Sequence, residues 1–149
     1  MITNMHKPIM VKEVSSYLDN DKELSILDCT FGGGGHTLSF LELGHRVTAI
    51  DEDSKAQEIA KEFRSKFNKF NFYKINFKDF EKIDDDCVKN KFDFILLDLG
   101  FSSNQLDDVQ IGISFKENSK LNMNYLNSGL TAYEIVNNYS EKDLSRIFA

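Results

Sequence analysis

The sequence predicts an α/β chain, a parallel sheet joined by crossover helices, and three features predict it. Short apolar runs alternate with segments whose apolar residues recur at helical spacing. Four consecutive glycines, Gly32 to Gly35, stand where the first apolar run gives way to the first helical segment. A carboxylate, Asp51, closes the second apolar run.

The N-terminal segment places Met10, Val11, Val14 and Leu18 on one helical face. Leu24-Ser25-Ile26-Leu27-Asp28 reads as the first strand. His36 to Leu43 is a short helix stopped by Gly44, a residue suited to the position just past a helix end. Arg46 to Asp51 is the second strand. Asp53 opens the next helix, along which Ala56, Ile59, Ala60, Phe63 and Phe67 keep helical spacing. Phe70 to Ile75 is the third strand. Phe92 to Asp98 is the fourth, and it is apolar enough to suit a strand covered on both faces. The stretch from Phe101 to Asn127 has little periodicity and reads as a long polar connection, a kind of segment that tends to be functional. Thr131 with Glu134 is a capping-box pattern, and Ser140 with Asp143 is a weaker version, so two short helices close the chain.

The 149 residues suit one domain, and at this length a chain buries roughly 68–70% of its unfolded surface. Hydrophobic residues make up 41% and charged residues 28%, which excludes a disordered or fibrous chain. No apolar run approaches the roughly 18–20 residues of a membrane span. The N-terminal residues show neither a secretory nor an organelle-targeting pattern, so a cytoplasmic chain is expected. Cys29 and Cys87, the two cysteines, form no Cys-x-x-Cys pair, so neither a disulfide framework nor a metal site is expected. The net charge of −6 counts against a protein that grips nucleic acid mainly through its phosphates. It leaves room for an enzyme that meets RNA over a small local patch. Asp84-Asp85-Asp86 reads as a solvated loop.

The chemistry concentrates at three strand ends. Asp28-Cys29-Thr30-Phe31-Gly32-Gly33-Gly34-Gly35-His36 joins the first strand to the first helix. Its glycines let the backbone turn sharply and approach a ligand, and the following helix offers free N–H groups. The spacing fails the dinucleotide fingerprint Gly-x-Gly-x-x-Gly, because Thr37 or Leu38 falls on its last position. It fits better an acidic-x-x-x-Gly-x-Gly pattern that resembles S-adenosylmethionine sites, through Asp28, Gly32 and Gly34, with Thr30 where a first glycine is common. Asp51 stands where a carboxylate can accept hydrogen bonds from both ribose hydroxyls of an adenosine cofactor, which NAD and S-adenosylmethionine share. Asp98-Leu99-Gly100-Phe101-Ser102-Ser103-Asn104-Gln105-Leu106-Asp107 leaves the C-terminal end of the fourth strand, where open parallel sheets bind ligands.

These blocks, together with His6 and Pro8, Asn76-Phe77 and Gly112-Ile113-Ser114-Phe115, occur in one order along the chain. In that order they resemble the bacterial small-subunit ribosomal RNA cytosine-N4 methyltransferases, the RsmH or MraW family, over nearly the whole chain. The resemblance implies a Rossmann-like S-adenosylmethionine-dependent methyltransferase fold with strands in the order 3-2-1-4, the fourth at an edge. In the family further strands pair with the fourth, so its edge position is expected of a truncated version of the fold. The resemblance also implies that Gly34, Gly35 and His36 line the methionine end of the cofactor and that Asp51 holds the ribose. Phe77 would border the adenine, although Phe80 and Ile83 follow it at helical spacing and pattern alone would make it core. Asp98 and Gln105 would complete the cofactor site, and Asp98 is also the candidate catalytic acceptor. The implied substrate is the exocyclic N4 amine of a cytosine in 16S ribosomal RNA within the small ribosomal subunit. No membrane partner is implied, and a homo-oligomer is left open.

The chain also departs from the family pattern. Lys120-Leu121-Asn122-Met123-Asn124-Tyr125 stands where the family has Pro-Leu-Asp-Met-Arg-Met, so Asn122 and Asn124 replace a carboxylate and a guanidinium. Asn104 replaces a proline and Ile111 an arginine. These changes spare the cofactor residues and bear on RNA contacts. Family members are about twice as long and insert a helical domain after the fourth strand. The expected organisation is therefore the N-terminal part of a cofactor-binding domain over 1–105, then a connection and the start of a helical substrate-side domain over 106–149. Two other readings compete: a non-catalytic S-adenosylmethionine-binding remnant, and an NAD-dependent oxidoreductase, which the failed fingerprint disfavours.

Overall fold

The computed structural model describes residues 8–19, 21–83, 91–101, 109, 111–114, 118–124 and 129–149. The chain divides into two compact units, Met1–Gly100 and Phe101–Ala149.

The first unit opens with α1 (Val11–Ser15) and continues through β1 (Ser25–Asp28), α2 (Gly35–Glu42), β2 (Arg46–Asp51), α3 (Ser54–Lys66), β3 (Phe70–Lys74), a 3-10 turn (Phe77–Lys82) and β4 (Phe94–Leu96). All three strand pairings are parallel and the order is β3-β2-β1-β4. The architecture is the expected α/β, Rossmann-like one.

The two faces of the sheet follow from the alternation of side chains along each strand. Ile26, Val47, Ala49, Phe70 and Phe72 point to one face and pack with Phe40, Leu41, Ala56, Ala60 and Phe63 of α2 and α3. Leu27, Cys29 and Ile50 point to the other, where Phe80, Ile83 and Phe92 cover them. From β1 to β3 the chain steps repeatedly in one direction, so right-handed crossovers place α2 and α3 on the same face. It then reverses to lay β4 on the far side of β1. The reversal creates a switch point between the C-terminal ends of β1 and β4, the place where open parallel sheets bind ligands.

The core under the glycine loop is aromatic. Phe31 packs edge-on against Phe63 and Phe72, with ring centroids 5.3 Å apart in each pair. Phe63 is completely buried, worth roughly 1.5–3 kcal/mol relative to an exposed side chain.

Several elements differ from expectation in extent. The first helix is only five residues long. Met10 lies outside it in a left-handed conformation and is exposed, while Leu18 reaches the core from a following turn. That turn tightens into shorter-range bonds, Tyr17 N–H to Val14 C=O and Leu18 N–H to Ser15 C=O, ahead of the polar residues that follow. β4 is three residues long and only its β1 side is paired among the described residues. Ile95 is 54% exposed, so the covering on both faces that its apolar sequence suits is not found among the described residues. The expected caps form as read: Asp53 accepts from Lys55 N–H, and Gly44 follows α2 with φ 91°.

In the second unit, α4 (Ala132–Asn138) starts with the complete Thr131–Glu134 capping box, and α5 (Glu141–Phe148) is capped by Ser140, which accepts from Asp143 N–H. Residues 120–124 turn tightly, with Asn122 N–H donating to Lys120 C=O and Met123 at φ 50°, and are tied to α4 by Ala132 N–H to Asn122 C=O and Tyr133 N–H to Leu121 C=O. Gly112 has φ 66°, and a Cβ there would lie 2.0 Å from the Lys120 carbonyl oxygen, so only glycine fits. Asn122 is built into this unit's backbone network, its N–H donating to Lys120 C=O and its C=O accepting from Ala132 N–H. Asn124 Nδ2 donates to Leu130 C=O at 3.4 Å. Asp84–Asp86, Cys87, and Ser102, Ser103, Asn104, Gln105 and Asp107 lie outside the described residues. No helix among the described residues is long and apolar enough to cross a membrane.

Candidate functional site

The site is built at the mouth of β1, β2 and β4, and two carboxylates, one buried and one partly buried, organise it. Asp28 ends β1 and is almost completely buried. Its Oδ1 accepts from Thr30 N–H at 3.1 Å and its Oδ2 from the Thr37 hydroxyl at 2.7 Å. One side chain thus ties the start of the glycine loop to the first turn of α2. Burial pushes its acid strength down, raising the pKa, while the Thr37 hydroxyl and the Thr30 amide pull it back. Burial, with the Asp28 charge second, pushes the thiol of the neighbouring Cys29, a buried free cysteine, up to about 11.

Asp51 at the end of β2 reaches across to the loop. Its Oδ2 accepts from Gly32 N–H at 2.8 Å and its Oδ1 from Asp53 N–H at 2.9 Å. Partial burial raises its pKa, and the amides of Asp53 and Gly32 oppose that. A carboxylate has about four lone-pair sites. Each Asp51 oxygen therefore keeps capacity for another donor while its orientation is already set.

The glycines divide by role. Gly32 has φ 51°, and a Cβ built on it meets only the Thr30 carbonyl oxygen at 3.9 Å, so the loop is open above it. Gly34 has φ 79°, and a Cβ there would come within 2.6 Å of Phe63 Cζ. A Cβ on Gly35 would come within 2.5 Å of Pro8 Cδ. Glycine at 34 and 35 is thus demanded by the protein's own packing, and any ligand contact they make is through backbone.

His36, in the first turn of α2, is buried against Phe40, with ring centroids 6.3 Å apart. Its Nε2 lies 3.5 Å from Asp98 Oδ2, while its Nδ1 is buried with no hydrogen-bond partner among the described residues. Asp98, just beyond β4, donates its N–H to Thr30 Oγ1 at 2.8 Å. Beside β2, Asn76 accepts from Lys78 N–H and donates to Glu52 Oε2 at 2.9 Å, capping the 3-10 turn that begins at Phe77. Phe77 itself is 40% exposed and belongs to neither core cluster, whereas Phe80 and Ile83 do pack. Helical spacing alone had marked it as core.

Glycine loop, His36, Asp51 and Asp98 thus meet at the switch point, with Phe77 following β3. Gln105 lies outside the described residues. Three contributors were not singled out from sequence for these contacts. Thr37 holds Asp28, Thr30 holds Asp98, and Asn76 links Phe77's turn to Glu52. The signal for Thr30 was its presence where a glycine is common, and for Asn76 its place just before Phe77.

A family model described as the MraW methylase family matches residues 3–149. The chain belongs to this family. Among its curated relatives are proteins named ribosomal RNA small subunit methyltransferase H. That of Caldicellulosiruptor saccharolyticus is 42% identical over 149 residues, covering 95% of this chain and 48% of the relative. That of Brachyspira hyodysenteriae is 37% identical over 144 residues, covering 96% of this chain and 47% of the relative. That of Thermotoga neapolitana is 38% identical, covering 97% of this chain and 50% of the relative. The chain spans about half the length of the curated relatives it matches. Within the family match, the glycine loop, Asp51 and Asp98 are the residues that the fold gathers at one mouth.

Proposed function

We propose that this chain is the cofactor-binding part of an S-adenosylmethionine-dependent methyltransferase acting on the exocyclic N4 amine of a cytosine in 16S ribosomal RNA. The observation that carries the reading is the glycine loop held open against Asp51 at the switch point of a chain matched over 3–149 by a methylase family. Residues 1–105 would form the N-terminal part of the cofactor-binding domain, and 106–149 the connection and start of a helical substrate side. The protein would work in the cytoplasm on the small ribosomal subunit.

The residues present fit the cofactor. The space above Gly32, the acceptor capacity left on Asp51, the exposed ring of Phe77 and the unpartnered buried Nδ1 of His36 each offer a complementary group. In this assignment Gly34, Gly35 and His36 line the methionine end, Asp51 holds the ribose, Phe77 borders the adenine, and Asp98 and Gln105 complete the site. When bound, the cofactor supplies a methyl group already activated on a sulfonium.

The protein's task is then alignment. A cytosine amine is a weak nucleophile because its lone pair is delocalised into the ring. Orienting it in a dry site is worth roughly 7–11 kcal/mol. Exposing a base from structured RNA costs a few kcal/mol, which RNA contacts must offset. The Asp98 carboxylate, 43% exposed at the mouth, is an acceptor suited to an amine that gains positive charge.

Calorimetric titration of S-adenosylhomocysteine and of NAD into the chain tests the cofactor assignment. Binding of the former and not the latter is expected, and the reverse would overturn it. A second reading, an S-adenosylmethionine-binding module without methyl transfer, also predicts this binding, and a methyl-transfer assay separates the two.

A further inference from the structure

We propose that Thr30 is a positioning residue whose hydroxyl sets Asp98 at the mouth of the site, locking the exit of β4 to the glycine loop. Sixty-eight residues separate the two in sequence, yet Asp98 N–H donates to Thr30 Oγ1 at 2.8 Å. Thr30 is itself held from behind, because its N–H donates to Oδ1 of buried Asp28, whose other oxygen is held by Thr37 of α2. The result is a continuous chain of bonds, α2 through Thr37 to Asp28 to Thr30 to Asp98, that crosses from β1 to β4. It returns to α2 where Asp98 Oδ2 comes within 3.5 Å of His36 Nε2.

The circuit explains a sequence feature that the cofactor assignment leaves unused: a threonine where the related glycine pattern commonly begins. Glycine there offers no acceptor to the Asp98 amide. β4 needs such a tie, since it is three residues long, and its last ladder contact to β1 is the pair Asp28 and Leu96. Beyond that pair, Cys29 N–H to Leu96 C=O and the Thr30 bond are what join the two exits. Having accepted from Asp98, the Thr30 hydroxyl still carries its own proton. It therefore adds a donor at the half-buried floor of the site, between the loop and Asp98.

The test uses Thr30→Val, which keeps the shape and removes the acceptor, and Thr30→Ser, which keeps the hydroxyl and removes the methyl. Two signals are read on the unliganded chain by NMR: hydrogen exchange of the Asp98 amide and the ¹⁵N shifts of the His36 ring. In the parent the Asp98 amide should be protected although it lies beyond the strand. Valine should remove that protection and move the His36 shifts, and serine should restore both. The third readout, S-adenosylhomocysteine affinity, rests on the cofactor reading above. There valine should weaken binding about 3–10-fold and serine should leave it near the parent value. A parent chain that binds no S-adenosylhomocysteine overturns the cofactor reading, while the two NMR signals still decide the role of Thr30. If valine leaves the amide and ring signals as in the parent, or serine fails to restore them, the positioning role is wrong. Should Thr30→Val not fold, Thr30→Ala is read by the same signals, and an unprotected Asp98 amide in the parent overturns the proposal without any variant.

Discussion

Asp51 and His45 show how burial sets what a single side chain does. Asp51 spends one hydrogen bond on each of two backbone amides and keeps acceptor capacity on both oxygens. Asp51→Ala should therefore weaken S-adenosylhomocysteine binding by about 1.5–3 kcal/mol, the range for hydrogen bonds involving a charged group. Isothermal titration measures it, and unchanged affinity would reduce Asp51 to a loop anchor. His45 lies away from the site, at the turn after α2, and is 1% exposed. Its Nδ1 accepts from Leu24 N–H at 3.3 Å, which requires the neutral ring, and burial holds its pKa below the ordinary 6.5. As pH falls the unfolded chain binds that proton first. His45 thus contributes stability above pH 6.5 that is lost as the pH falls below it towards the folded value. In urea unfolding between about pH 5 and 8, the stability of the parent relative to His45→Asn should fall on the acid side. An identical pH dependence in parent and variant would remove His45 from the account. Asp28 and Asp51 act with the opposite sign: their raised values give stability below 3.8 that is lost as pH rises through the folded pKa. Both carboxylates are present in parent and variant, so the difference between the two isolates His45.

At the scale of elements, the glycine loop is shaped as much by the core behind it as by any ligand in front. Gly34 faces Phe63 and Phe31, which α3 and the loop itself bring together. Gly34→Ala meets two costs, a left-handed φ of 79° and a methyl 2.6 Å from Phe63 Cζ. Gly44→Ala meets only the first, since nothing lies within 4 Å of a Cβ there. The expected losses are about 2–4 kcal/mol for Gly34→Ala and about 1–2 kcal/mol for Gly44→Ala, read by urea unfolding. Equal losses would show that the aromatic cluster yields and that only backbone strain matters. The asymmetry would also explain why the loop tolerates no side chain at 34 whatever lies in front of it.

For the whole molecule, the decisive feature is the outer edge of β4. Phe94, Ile95 and Leu96 form an apolar strand paired only to β1 among the described residues, and Ile95, Leu97 and Leu99 are 54%, 48% and 66% exposed. Unpaired N–H and C=O groups along such an edge invite pairing with another chain. Asp98 stands just beyond this strand, so the candidate site lies next to the uncovered edge. Residues 1–149 alone should bind cofactor weakly and fail to methylate. A version extended to the length of the relatives should transfer labelled methyl from S-adenosylmethionine to small ribosomal subunits. Equal turnover by the two would show that nothing beyond this chain is needed to order the mouth.

What the sequence determined by itself is what acts over a few residues. Periodicity placed the strands and helices, Asp53, Thr131 and Ser140 announced helix starts through their own hydroxyl or carboxylate, and Gly44 announced a stop. The strand order, and most of the site assignment, came with the resemblance, because hydrophobic alternation does not say which strand neighbours which. Only the tertiary structure decided the contacts that bridge distant segments: Asp51 to Gly32, Thr30 to Asp98, Gly34 to Phe63. It also decided the extents of α1 and β4, which their local patterns overstated. A helix or strand persists only as far as neighbours cover its apolar face or pair its backbone, and those neighbours are set by the folded topology.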